Sequence, residues 1–569
     1  MAEATLFRGA TVYDGTGADP VRADLLVRDG RVAAIGEGVG AGADGAEVVD
    51  AGGLALMPGI VDLHTHYDAQ LTWDPGCSPS PALGVTTAVI GNCGFGIAPC
   101  PPALRDTMLR NLSVVEGMDL GALLTGTRWE FETFAGYLDL LRRLGPSLNV
   151  AVFAGHSAIR TAVMGEDASL RIEPTAAELA AMVAQVRDAM AAGAIGFASS
   201  FSPNHSGWGG APMPSTIATD AELHAMLEPM REAGRGVFMS ATGPRATPEY
   251  MEDVAARTGR PAFISTVLAM YSDSAPTRGL AMYDRCAEAI DRGHEVRIQS
   301  SCQPLTFDFD LHTPYVWYPL PSFAPVKAAA GDPEALARIY ADPSFREAFR
   351  ADLRSPPSGV IFTGDWTQVA VAIASDARRD LQDRSIAALA AEAGVDPIDW
   401  LFDFGLAERL GARFAGRFFN NRDEGVAPLI THRAGVITLS DAGAHLGYLC
   451  DAGFGLHLLG HWARETGTFT LQEAVRRLTS HPADAYRIPG RGRIVAGAAA
   501  DLLLFDPTTV GISRLRAAHD LPGGARRLVR DPVGVHGTWV NGTRTFDGTS
   551  ILGHAAGRGP GAVLDRFDA

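Results

Sequence analysis

The chain has 569 residues, of which 48 are Lys or Arg and 65 are Asp or Glu, giving a net charge of −17 with 47% hydrophobic content. That length calls for one large domain plus an accessory unit, and the acidic balance argues against nucleic-acid or anionic-membrane partners, which require a basic face. No apolar run reaches the ~18–20 residues that span a bilayer, the N-terminus lacks a leader pattern, and six cysteines over this length make no disulfide framework, so a cytoplasmic address is expected.

Residues 1–56 read as short strands, alternating apolar and polar residues around DG and GG turns. Residues 490–569 repeat that punctuation, including an NG turn, so a small β-sandwich domain built from both chain ends is expected. Residues 57–489 alternate helix and strand signals. Thr175 with Glu178, and Thr219 with Glu222, have capping spacing ahead of apolar-periodic stretches, each followed by glycine and a β-rich run. Repeated units of this kind predict an α/β fold, a (β/α)8 TIM-type barrel with a parallel sheet. The rhythm breaks at about 305–365, where FDFDLHTPYVWYPLPSF shows no clear period. This insertion reads either as loosely packed surface or as a lid over substrate.

In a barrel the chemistry lies where strands end and loops begin. MPGIVDLHTH (residues 57–66) is a buried-strand pattern ending in His64 and His66. Their period-two spacing turns both imidazoles the same way, which is half of a divalent metal site. VTTAVI runs into GNCGFG and brings Cys93 to the same rim, as a thiolate ligand or as a small buried apolar residue. Downstream, VITLSDAGAH delivers Asp441 at a strand end, with His445 four residues on. Asp441 suits a metal ligand and general base, or a helix N-cap. His156, Arg160 and His205 also follow strand-like runs and are candidate substrate-binding groups beside His445; each has the alternative of an ordinary loop or helix residue. His457 and His461 have helical spacing among leucines and read as packing. Cys450 and Asp451, beside His445, read either as structural packing or as groups that help hold the metal.

MPGIVDLHTHYDAQ, GVTTAVIGNCGFGIAP, LSDAGAH and the closing LQEAVRRLTSHPADAYRIPGRGRIVAGAAADLLLFDP resemble the amidohydrolase superfamily, in its N-acyl-D-amino-acid deacylase branch, as a divergent longer subgroup. The resemblance covers about residues 5–545. It implies a metal-bearing barrel, zinc as the usual metal, hydrolysis of C–N bonds, His64 and His66 as ligands, Cys93 as the branch's cysteine ligand and Asp441 as the catalytic aspartate. Two further histidines of the branch are missing: Ser240 and Thr266 lie near their places. The only lysine, Lys327, falls in the insertion, away from the position of a metal-bridging lysine. The carboxylate-gripping lysine and arginine of the branch are also absent.

The expectation is therefore an enzyme, a hydrolase of an amide or related C–N bond in a small molecule. It would use one divalent ion in preference to two, zinc first, with iron or manganese as alternatives. Two other functions fit the same residues: a lyase, decarboxylase or cyclising enzyme on the same site, or an inactive barrel that binds a partner. Assembly into a homo-oligomer is left open.

Overall fold

The computed structural model describes residues 4–43, 45–265, 269–357, 360–447, 452–552 and 558–568. Eight parallel strands form the central sheet in chain order: β1 (Ile60–Asp62), β2 (Val85–Ile90), β3 (Asn149–Gly155), β4 (Gly196–Ser200), β5 (Val237–Ala241), β6 (Ala262–Ser265), β7 (Val296–Ser300) and β8 (Gly435–Ile437). They are almost wholly buried, as the near-continuous apolar runs of a doubly covered parallel sheet require. The barrel closes where the Leu63 amide donates to the Thr438 hydroxyl at 2.8 Å. Just beyond, the short strands His64–Thr65 and Leu439–Ala442 pair in parallel. Closure thus places the HxH pair directly beside the strand that carries Asp441.

The covering helices begin as their caps predict. Thr175 and Glu178 form the full reciprocal capping box of Ala176–Ala192, and Gly193 ends that helix at φ 112°. Thr219 caps Asp220–Ala233 through the Glu222 amide at 3.2 Å, whereas the Glu222 side chain turns inward and is fully buried.

Both chain ends build a separate sheet, in which Leu502–Phe505 lies antiparallel between Ala55–Pro58 and Val535–Val540. Its core joins Phe7, Leu25 and Leu56 to Leu504 and Trp539. Gly59 is the only residue between this sheet and β1. A Cβ there would sit 2.1 Å from the Thr86 side chain, so only glycine allows the close approach. The last described residues, expected with the sandwich, instead run along the barrel, with the Leu564 amide donating to the Val150 carbonyl at 2.8 Å.

The insertion is neither loosely packed nor confined to residues 305–365. It runs to Phe419 as a three-stranded antiparallel sheet of Leu305–Asp310, Arg413–Phe419 and Val369–Ile373. Helices including Pro343–Arg354 and Pro397–Ala407 accompany it. Its own aromatic core holds Trp317, Phe323, Phe349, Phe402 and Phe414. The period was hidden because these aromatics fill a small core from short turns and 3-10 segments. Among the described residues, no helix is long and apolar enough to cross a membrane.

Candidate metal centre

The sequence-predicted residues His64, His66 and Cys93 gather at the barrel rim with their ligand atoms within 4.8 Å of one another, and Asp441 joins His66 and Glu116 in an adjoining group of the same span. His64 Nε2 lies 3.2 Å from His66 Nε2, 3.7 Å from Cys93 Sγ and 3.6 Å from Asp441 Oδ1. His66 Nε2 lies 3.1 Å from the same Asp441 oxygen. Cys93 is fixed there by Asn92, whose side-chain amide donates to the carbonyls of Thr65 at 3.2 Å and Val89 at 2.8 Å, tying the loop after β2 to the histidine strand.

Three residues of the rim, Cys93, Asp441 and His445, hold left-handed backbone at φ 54°, 55° and 52°. Non-glycine residues in that region carry strain, and such strain gathers at functional sites. Gly443, between Asp441 and His445, has φ 95° and passes so close to His66 that a Cβ would sit 2.7 Å from its carbonyl.

The surroundings orient the imidazoles. Gln299, on β7, donates its amide N–H to the Tyr486 hydroxyl at 2.7 Å. Its amide oxygen therefore faces His64 Nδ1, 2.7 Å away, and accepts that N–H. The Nε2 lone pair of His64 is left pointing into the cluster, the usual support of a metal-ligating histidine. Ser265 Oγ also lies 3.1 Å from Nδ1. On the other side, Glu116 Oε1 lies 3.2 Å from His66 Nδ1 and orients that ring in the same way. Glu116 caps the end of the helix Arg105–Val115 and is 3% exposed.

Electrostatics follow from burial and from these pairs. Burial drives His64 down to about 4, partly countered by Asp441. Burial also opposes charge on His66, but Glu116, Asp441 and Cys93 outweigh it and raise its pKa well above the ordinary value. Burial pushes the Cys93 thiol up to about 11 despite His66. It likewise works against the Asp441 carboxylate, yet His66, His445 and His64 hold that group well below the usual range. Among the described residues, neither Glu116 nor Asp441 has an arginine or lysine partner. One buried carboxylate, Glu116, and one half-buried carboxylate, Asp441, facing imidazole and thiol form a donor set that a divalent cation would neutralise. Nitrogen, sulfur and oxygen donors together suit zinc and its first-row neighbours.

The other expectations divide. His445 Nε2 lies 3.8 Å from Asp441 Oδ2 and 4.0 Å from Glu116 Oε2, at the mouth of the cluster. His205 bonds Ser200 Oγ through Nδ1 at 2.6 Å, lies edge-on to Phe95, and is driven down to about 3 by burial with His445 and His66 adding to it. His156 and Arg160 are elsewhere. Both are fully buried, His156 between Ser199 and Glu222 at 2.9 Å each, and Arg160 on Glu222 and the carbonyls of Ala168, Arg171 and Ile172. Their polar atoms are committed to the fold, so a substrate-binding role is not what their positions offer. His461 is paired to Asp423 and Glu465. Ser240 is buried and donates to the Ala241 carbonyl. Lys327 lies over Tyr318 in the insertion. Thr266, Cys450 and Asp451 lie outside the described residues.

Glu116, Gln299, Ser265 and Tyr486 were not identified from the sequence. Two signals existed. Glu116 sits at a helix C-terminus, against the dipole, and Gln299 is a polar residue in the apolar run VRIQS.

Comparison with known proteins gives the family. The amidohydrolase family profile matches residues 47–300 and 345–546, skipping the first part of the inserted lobe. D-aminoacylase of Alcaligenes xylosoxydans xylosoxydans is 29% identical over 565 residues, covering 97% of this chain and 96% of that one. An uncharacterized protein of Mycobacterium tuberculosis is 30% identical over 586 residues, covering 96% and 92%. The crystal structure of N-acyl-D-glutamate deacylase from Bordetella bronchiseptica, complexed with zinc and a phosphonate mimic of the tetrahedral intermediate, superposes with a TM-score of 0.65 at 27% identity over 99% of both chains. With the profile spanning most of its length and the HxH, cysteine and aspartate meeting at the barrel rim, the chain belongs to the amidohydrolase family.

Proposed function

We propose that this protein is a metal-dependent hydrolase that cleaves the amide C–N bond of an N-acylated small molecule in the cytoplasm. The observation that carries the reading is the pair of donor groups that share His66: His64, His66 and Cys93 on one side and His66, Glu116 and Asp441 on the other, each with its ligand atoms within 4.8 Å of one another. His64, His66, Cys93 and Asp441 would hold one divalent ion, zinc by preference. When bound, such an ion polarises the scissile carbonyl and brings the pKa of water toward neutrality.

The remaining work falls to the chain's own groups. Asp441, kept ionised by the surrounding imidazoles, takes the proton of the attacking water and returns it to the departing nitrogen. Glu116 and Gln299 hold the two ligand rings in orientation. His445, whose pKa is lowered by burial, and His205 are neutral groups at the mouth, able to donate N–H bonds to the acyl group. A single ion is supported by Ser240 and Ser265, which offer neutral hydroxyls on the neighbouring strands, and by the remote position of Lys327.

The test is a set of N-acyl amino acids assayed with purified protein before and after chelation. Activity should vanish with chelation, return with about one equivalent of zinc per chain, and place ¹⁸O from solvent in the released acid. Full turnover by chelated protein, or product free of solvent oxygen, would overturn the reading.

A further inference from the structure

A hairpin from the C-terminal part of the chain reaches the barrel rim. Its strands Arg516–Ala518 and Arg527–Val529 pair antiparallel, and its tip turns at Gly523 and Gly524, with φ 73° and 75°. Two arginine–carboxylate forks stiffen it. Arg516 reaches Asp531 through two bonds of 2.6 Å, and Arg527 reaches Asp520 at 2.7 and 2.8 Å. Bidentate pairs of this kind fix geometry as well as charge. Near the tip, Leu521 packs with Ala122 and Leu446.

The hairpin grips the loop that carries Asp441 and His445. The Leu528 amide donates to the Leu446 carbonyl at 2.8 Å, and Arg526 Nη1 donates to the Gly447 carbonyl at 2.9 Å. Arg527, 4% exposed, also donates to the carbonyl and hydroxyl oxygens of Ser78 at 2.8 and 3.1 Å, on the loop that follows His66. Arg527 and Leu528 line the small recess beside Asp441. The first half of the Asp441 loop is tied instead to elements of the metal centre. The His66 amide donates to the Ala442 carbonyl at 2.7 Å, and the His445 amide donates to the Glu116 carbonyl. Strained backbone persists only where its surroundings over-determine it. Asp441 and His445, both left-handed, meet that condition with bonds on one half of their loop from the barrel and on the other half from the hairpin.

One of these bonds runs further. Arg526 Nη2 donates to Asp308 Oδ2 at 3.1 Å. Asp308 lies on the first strand of the inserted lobe, is 3% exposed, and also accepts from Arg413 Nε of the paired strand at 2.7 Å. A single guanidinium therefore spans the lobe and the carbonyl two residues past His445. Arg514 reaches the lobe too, through Asp383, and among the described residues it has no bond to the loop.

We propose that this hairpin is a clamp on the Asp441–Gly447 loop, with Arg526 as a positioning residue for the metal centre that acts through the Gly447 carbonyl and is anchored on the inserted lobe. The clamp keeps the Asp441 carboxylate against His66, 3.1 Å away. The inference rests on the metal-centre reading and is independent of which bond the enzyme cleaves.

The test uses the full chain loaded with cobalt(II), whose visible absorption reports the geometry of its ligands, together with amide hydrogen exchange of residues 441–447 in the metal-free protein. Arg526→Ala should change the cobalt spectrum and speed exchange of the loop by at least about tenfold, as loss of a charge-assisted hydrogen bond allows. In the N-acyl amino acid assay it should lower kcat by about 10–100-fold, as for other supports of a metal site, with KM within about twofold of the native value. Arg526→Lys should fall between Arg526→Ala and the native protein on all three readouts, and it carries the same comparison where the alanine variant does not fold. Arg514→Ala, which removes a lobe contact and leaves the loop bonds in place, should match the native protein. A native chain that takes up no cobalt refutes the metal-centre reading, while the exchange comparison still decides this one. A native-like spectrum or native-like exchange in Arg526→Ala, or the same changes in Arg514→Ala, overturns the proposal.

Discussion

The barrel buries two clusters of histidine and carboxylate, and they balance charge in opposite ways. In one, Glu222 lies between His156 and the guanidinium of Arg160, all three fully buried, with the remaining arginine donors spent on backbone carbonyls. Its charges cancel internally. In the other, Glu116 and Asp441 face His66, His64, His445 and Cys93, with no arginine or lysine among the described partners. Cys93, Asp441 and His445 hold left-handed backbone there, whereas none of His156, Arg160 and Glu222 does. A closed charge balance is what a structural cluster needs. An open balance held in place by backbone strain is what a cation site needs.

Substitutions that exchange the behaviour of the two clusters test this contrast. The largest effect on turnover is expected from Asp441→Asn, which should cut kcat by about a thousandfold through loss of the proton acceptor, with circular dichroism unchanged. The largest effect on stability belongs to the other cluster. Arg160→Ala strands a buried carboxylate and should cost about 3–5 kcal/mol of unfolding free energy, read by denaturant titration, while bound zinc stays near one equivalent in the folded fraction. Glu116→Gln should lower zinc affinity by about 10–100-fold, the usual result of removing a carboxylate behind a ligating histidine, with a smaller loss in melting temperature. A drop in zinc affinity from Arg160→Ala as large as that from Glu116→Gln would erase the distinction.

The smallest effect concerns pH. Burial drives both His457 and His481 down to about 3, helped by His461 and neighbouring arginines at the first and by Arg477 and Arg476 at the second. A histidine with a depressed folded pKa stays neutral in the native state while the unfolded chain takes up a proton below about 6.5. Stability should therefore fall as pH drops from about 6.5 toward 3, and be flat for these groups above about 6.5. The double variant His457→Gln, His481→Gln should show a shallower decline of melting temperature over that window.

What the sequence could reveal depended on the range of the interaction. His64 and His66 are set by period-two alternation on one strand, and Cys93 and Asp441 by their places at strand ends, so local pattern plus the barrel rule located all four. Glu116 comes from a helix end 50 residues beyond His66, and nothing local to VVEGMD specifies the imidazole it meets. His156 and Arg160 follow a strand as rim residues do. Their fate was decided by Glu222, from a helix some 60 residues away, which local pattern reads only as a capping residue. The inserted lobe was opaque for a related reason. Its core is made by aromatics such as Trp317 and Phe402, far apart in sequence, with short turns that show no period. Pattern conveys what one element does; it conveys little about which distant side chain will claim a residue.

Gly59 gives the small sheet a role that its distance from the chemistry conceals. The strand Ala55–Pro58 is bonded to Leu502–Phe505, and one residue later the same extended run becomes β1 and ends in the two histidines. The longitudinal position of His64 and His66 is thus set by a ladder whose other half is made more than 400 residues downstream. Until that half arrives, the strand that carries His64 and His66 has no fixed register. The first strand of the barrel is in effect moored by the end of the chain, and the capacity to hold a cation should mature last in folding.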